Sequence, residues 1–97
     1  MGLVLFASAL GASADTIAPP PAYADKPYPH EIRIHFLPRA ELNETCRYET
    51  GLNATFRGCA VLWPEACDVY IVNDLSQDAR DVVQAHETAH CKGWRHP

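Results

Sequence analysis

Hydrophobic and polar residues alternate along Glu31–Leu37, which is typical of a β-strand. Ile32, Ile34 and Phe36 point to one side of such a strand, and Arg33 and His35 to the other. The pattern predicts a strand with one face on a hydrophobic core. His35 would lie on the polar face, either exposed to solvent or close to a metal ion or substrate.

The next hydrophobic positions predict a helix and then a β-hairpin. Pro38 can begin a helix, and Leu42 and Cys46 then lie on one face of it as far as about Tyr48. A loop is expected over residues 49–57. Residues 58–63 and 67–72 are two apolar runs with three residues between them, a spacing that predicts an antiparallel hairpin.

The last pattern is helical and contains the candidate chemistry of the chain. Apolar residues and two histidines recur three and four positions apart after a turn at residues 73–76, where Asp74 or Ser76 is the expected N-cap. The residues of this stripe are Ala79, Val82, Val83, His86, Ala89 and His90. One face of the predicted helix therefore directs two imidazoles toward the interior.

The sequence around these histidines reads H-E-x-x-H-x-x-G-x-x-H, from His86 to His96. Two histidines four apart on a helix can hold one metal ion, and Glu87 beside them can act as a general base. Gly93 is the expected C-cap of the helix, since glycine readily adopts a left-handed conformation there. The chain could then turn back and bring His96 to the metal.

This motif resembles the zinc-binding consensus of the metzincin metallopeptidases, and all five fixed positions match. The resemblance implies a Zn²⁺ ion held by His86, His90 and His96, with Glu87 as the catalytic base. It implies a zinc metalloendopeptidase that hydrolyses amides with zinc-bound water. The chain would be a minimal member, because the family's methionine turn is missing and Met1 is the only methionine.

The resemblance extends in outline to the order of elements, since strand, helix, hairpin and zinc helix follow each other as in a zincin core. The expected fold is α+β, a small zincin-like core stapled by disulfides. Residues 57–63 would be the edge strand that binds an extended substrate. Trp63 would then flank the cleft or pack in the core, and Trp94 would pack under the site.

Two other functions fit the same residues. The chain could be a secreted, non-catalytic binding module stabilised by zinc and disulfides, in which Glu87 has no chemical role. It could also be a disulfide-stapled interaction domain without a metal. Loss of hydrolysis in Glu87→Gln would distinguish the peptidase from both.

The composition divides the chain into three parts. Residues 1–14 have an apolar run and small residues before a cleavage point after Ala14, as in a signal peptide; a strand or helix is the alternative. Residues 15–30 are rich in proline and predict an extended tail. Residues 31–97 would form the zincin-like domain. This organisation predicts a secreted or periplasmic protein.

Four cysteines follow the predicted signal peptide, and an even number in such a chain predicts two disulfides. Three pairings are possible. The favoured pairing joins Cys59 to Cys67 across the hairpin and Cys46 to Cys91 between the helices. Cys91 as a zinc ligand is the rival interpretation, but its position next to His90 directs it away from the histidine face.

The net charge of -4 and the lack of basic clusters argue against nucleic acid or an anionic membrane as a partner. No nucleotide-binding motif is present in the sequence. The expected partner is a peptide or protein substrate, and a second chain could complete the cleft.

Overall fold

The computed structural model describes residues 3–9 and 18–95, with four strands and three helices in these ranges. The strands are β1 (Leu3–Ala9), β2 (Glu31–Leu37), β3 (Phe56–Trp63) and β4 (Ala66–Val72). The helices are α1 (Pro21–Asp25), α2 (Arg39–Thr50) and α3 (Gln77–Cys91). The predicted α+β class is confirmed, and so are the strand, hairpin and two helices expected between residues 31 and 91.

The strands form one mixed sheet in the order β1-β3-β4-β2. β3 and β4 are the antiparallel hairpin, in which Trp63 pairs with Ala66 beside the turn. β2 runs parallel to β4, from Glu31 opposite Ala66 to Leu37 opposite Val72. A parallel neighbour needs a long connection, and here α2 and β3 lie between the two strands in sequence.

β1 pairs antiparallel with the outer edge of β3, with Ser8 opposite Gly58. This strand lies within residues 1–14, the predicted signal peptide. Residues 10–14, which contain the predicted cleavage point, lie outside the described residues. Cleavage of this segment during secretion stays a prediction.

The two long helices cover opposite faces of the sheet. Leu42 and Cys46 of α2 pack with Phe56, Cys59 and Val72. On the other face, α3 packs against a cluster whose members are Ala60, Cys67, Val69, Ile71, Val83 and Cys91. Successive strand residues point to opposite faces, which is why neighbours such as Cys59 and Ala60 belong to different clusters.

The predicted disulfide pairing is wrong. The bonds join Cys46 to Cys59 and Cys67 to Cys91. Cys59 pairs with Tyr70 in the hairpin and points toward α2, whereas Cys67 points toward α3. Two cysteines on opposite faces of a sheet cannot bond across it. Each helix is therefore attached to the sheet by its own disulfide, and Cys91 is a disulfide partner rather than a free thiolate for zinc.

Local signals fix the ends of the helices. The Ser76 hydroxyl accepts a hydrogen bond from the Ala79 N–H at 3.3 Å, which confirms one of the two predicted N-caps of α3. α2 ends at Gly51, whose φ of 72° closes the last turn. The Ser76 cap begins α3 at Gln77, and both motif histidines then lie in its last two turns.

The chain before β2 lies against α3. Within residues 18–30 it forms α1, and the Lys92 ammonium donates to the Tyr23 and Ala24 carbonyls at 3.0 and 3.1 Å. Tyr28 packs against the core cluster under α3. Among the described residues, no helix combines the length and apolarity needed to span a membrane.

Candidate metal centre

α3 brings His86 and His90 together one helical turn apart. Their Nε2 atoms are 3.1 Å apart, and the ring planes are nearly perpendicular, at 84°. Two imidazoles on one tetrahedral zinc ion, with Zn–N bonds of about 2.0–2.1 Å, have nitrogens about 3.3 Å apart. The observed separation of the two Nε2 atoms, which is also a hydrogen-bond distance, is close to that value, so the two atoms are placed to share a single ion.

Glu87 completes the group. In the described part of the chain, candidate ligand atoms of His86, Glu87 and His90 all lie within 4.8 Å of one another. The three residues are 0%, 0% and 1% exposed. Imidazole and carboxylate are common zinc ligands, and a buried carboxylate beside two imidazoles can exchange a proton with a small molecule held between them.

A close approach between α3 and β3 places Glu87. A Cβ atom built on Gly58 would lie 2.9 Å from the Tyr70 carbonyl oxygen, 3.0 Å from Val83 Cγ1 and 3.3 Å from Glu87 Cγ. Only a residue without a side chain allows α3 to come this near. Sequence reasoning missed this role of Gly58. The available signal was a glycine in the middle of an apolar strand.

Trp94 packs against both histidines. The chain turns at Gly93, whose φ is 101°, and the Trp94 N–H returns to the Ala89 carbonyl at 3.1 Å. The indole ring stacks on His90 with a 5.0 Å centroid distance and meets His86 edge-on at the same distance. This confirms the prediction that Trp94 packs under the site.

The Trp94 main chain also selects the tautomer of His90. His90 Nδ1 lies 2.7 Å from the Trp94 carbonyl oxygen, which can only accept a hydrogen bond, so Nδ1 carries the proton. In the neutral ring the lone pair is then on Nε2, the atom that faces His86. Metal-bound histidines commonly have this arrangement, in which the second ring nitrogen donates to a carbonyl.

His96, the predicted third ligand, lies outside the described residues, and its role stays a prediction. The path toward it is described as far as Arg95, and it follows the expected turn at Gly93.

His35 does not approach the candidate metal group, which consists of His86, Glu87 and His90. Its Nε2 lies 2.8 Å from Asp68 Oδ1, on the sheet face opposite α3. Asp68 also accepts two hydrogen bonds from Arg33 and one from the Trp63 indole, at 2.7 to 2.9 Å. The bonds from Arg33 hold the pKa of the Asp68 carboxyl well below its usual range, against the effect of burial.

This Asp68 cluster belongs to the scaffold rather than to the histidine site. Trp63, one of its members, therefore points away from the face that carries His86 and His90. The sequence did not predict the cluster, because its members come from three strands whose order the sequence does not indicate.

The outer edge of β3 is the predicted substrate-binding edge. It is paired with β1, from Leu62 opposite Leu3 to Phe56 opposite Ala9. Their pairing continues past Gly58, the residue under Glu87. An extended backbone at this edge therefore passes beside the metal group.

No protein-family model, curated protein or solved structure matches this chain.

Proposed function

We propose that this chain is a secreted zinc-dependent metallopeptidase with a zincin-like core. The observation that carries the proposal is the buried group on α3, in which two histidine Nε2 atoms lie 3.1 Å apart beside Glu87. A histidine that is merely packed in a core needs only one hydrogen-bond partner for its ring N–H. Here the Nε2 atoms of two imidazoles lie 3.1 Å apart and face each other, an arrangement suited to a shared cation.

His86 and His90 would hold the ion through Nε2, and His96 would supply a third nitrogen. Three protein ligands are typical of catalytic zinc sites, whereas structural sites have four. Zinc, when bound, supplies Lewis acidity toward water and a peptide carbonyl. The Trp94 carbonyl keeps the His90 proton on Nδ1 and so places the lone pair of the neutral ring on Nε2.

Glu87 would act as the base. Its carboxylate would take a proton from the attacking water and later deliver it to the leaving amine. Burial excludes bulk water from the carboxylate, and the close packing on Gly58 restricts its position.

A peptide substrate would bind at the edge of β3. Removal of residues 1–14 would take β1 away and leave the backbone groups of β3 open to an extended peptide. Such a peptide would run antiparallel to β3, as β1 does, and pass beside the metal group. A partner chain could complete the cleft on the other side of the peptide.

The disulfides support secretion or a periplasmic location, because such bonds persist in oxidising compartments. The deep burial of the metal group favours a second candidate function, a non-catalytic binding module stabilised by zinc. A closed site without access for substrate is typical of structural zinc.

The test is the metal content and peptide hydrolysis of the protein purified after secretion. Wild type should contain one zinc ion per chain, and His86→Ala should lose it. Glu87→Gln should keep zinc and lose hydrolysis. His30→Ala, which removes an exposed histidine from the tail, is the matched control and should change neither.

The outcomes separate the proposals. Zinc without hydrolysis in wild type would favour the binding module. Zinc in His86→Ala at the wild-type level would contradict the assigned site. Wild-type protein that takes up no zinc would rule out both functions.

A further inference from the structure

A cavity lies beside the end of α3, and His86, Glu87 and His90 are not among the residues that line it. It has a volume of about 340 Å³ and lies between the proline-rich tail and the end of α3. Pro27, Tyr28 and Leu62 contribute its apolar walls. A volume of this size is at the lower end of the range for small-molecule sites and suits one amino-acid side chain with its backbone.

Three cations line the same cavity: Lys26, Lys92 and Arg95. The two lysines are the only lysines in a chain whose net charge is -4. No aspartate or glutamate is among the described residues that line it. Positive charge is thus concentrated at one apolar cavity on an otherwise acidic protein, and such a site attracts anions.

Contacts with residues of the tail hold two of these cations in place. Lys92 donates to the Tyr23 and Ala24 carbonyls, which attaches the tail to the end of α3. The Lys26 ammonium lies 5.2 Å from the centre of the Tyr23 ring. It is also 3.9 Å from a Cβ atom built on Gly93, so it lies over the turn that follows the motif helix.

We infer that this cavity binds a carboxylate attached to an apolar group, such as the C-terminal residue of a peptide. The apolar walls would receive the side chain, and the Lys26 ammonium would receive the carboxylate. Cys91, the residue directly after His90, lines the cavity. If the proposed peptidase function holds, this location would favour peptides that are cut near their C-terminus.

The probe is N-acetyl-L-phenylalanine, and its neutral amide is the matched control ligand. Both are titrated into the purified protein while amide chemical shifts are followed by NMR. We expect the acid to shift the resonances of residues 91–93 and to bind about fivefold more tightly than the amide, as an ion pair at a partly exposed site allows. Lys26→Ala should weaken binding of the acid two- to fivefold, roughly the effect of one exposed pair.

Arg39→Ala is the control variant, since it removes the same charge at the exposed ion pair with Asp74. It should leave the affinity unchanged. Equal affinity for acid and amide, no shift with either ligand, or equal weakening by Arg39→Ala would each overturn the inference. The titration is repeated after EDTA treatment. A carboxylate that binds the metal instead would lose affinity with EDTA and be insensitive to Lys26→Ala, which would also overturn it.

Discussion

Replacement of Gly58 by alanine tests how the site is positioned. The added methyl group would meet three atoms at 2.9, 3.0 and 3.3 Å. The nearest is the Tyr70 carbonyl oxygen, which is backbone of the paired strand β4 and cannot move without distorting the sheet. The other two belong to Val83 and Glu87 on α3. The contacts with Val83 and Glu87 can be relieved if α3 moves away from β3, whereas the contact with Tyr70 requires a shift within the sheet.

Such overpacking costs about 1–3 kcal/mol. For a domain of this size, 1 kcal/mol lowers Tm by about 4–8 °C, so we expect a decrease of roughly 4–24 °C. The displacement would also disturb the proposed zinc site, because Glu87 is one of the residues pushed outward. Loss of a supporting contact at a metal site typically weakens binding about 10- to 100-fold.

The assays are thermal unfolding followed by circular dichroism and zinc binding followed by calorimetry. Gly51→Ala is the matched control. Gly51 has a positive φ of 72°, and no atom lies within 4 Å of the position of its Cβ. Alanine there should cost about 1 kcal/mol through the backbone conformation and leave zinc affinity unchanged.

Two results would refute this reasoning. If Gly58→Ala has the stability and zinc affinity of wild type, α3 does not approach β3 as closely as described. If both glycine variants weaken zinc binding equally, the effect reflects general loss of stability rather than displacement of α3.

Three further predictions concern the scaffold. Asn43→Ala should lower the free energy of unfolding by about 1–3 kcal/mol in urea denaturation, because the buried N–H at the start of β3 loses its 2.7 Å acceptor; a neutral result would contradict this bond. Asp68 has a lowered pKa in the folded protein. The Asp68 carboxylate therefore stabilises the folded protein fully above the unfolded pKa of about 3.9, and this stabilisation is lost as the pH falls through the folded pKa. Asp68→Asn should cost about 2 kcal/mol at pH 7 and reduce the dependence of stability on pH below about 4, measured by denaturation at several pH values; an unchanged dependence would exclude Asp68 as its source. Removal of the Cys67–Cys91 bond by serine substitution at both positions should cost about 3.5 kcal/mol by the loop-entropy estimate and weaken zinc binding at the end of α3. Peptide mapping of unreduced protein should show this bond, and a Cys59–Cys67 peptide would contradict the structure.

The regular elements were predictable because their signals are local. Alternation at residues 31–37 depends only on the period of a strand, and the spacing of His86 and His90 only on the period of a helix. Ser76 also acts within one turn of the residues it caps. These features depend on residues a few positions apart, so they can be predicted from the sequence.

Relations between elements were predicted less well. The favoured cysteine pairing was wrong because the face on which a strand residue lies depends on the register of the hairpin, and a shift of one residue reverses it. The Asp68 cluster also depends on strand order, since β2 lies beside β4 rather than beside β3. Its three strands are not neighbours in sequence, and no local pattern indicates their order.

The sequence by itself determined where the strands and helices between residues 31 and 91 form and placed two histidines and a glutamate on one helix. The tertiary structure decided which cysteines bond, that Gly58 allows α3 to approach β3, and that the lysines of the tail and of α3 meet at one cavity. The physical reason is distance along the chain. Local periods and caps act within a few residues, whereas strand order, register and packing depend on how separate elements meet in space.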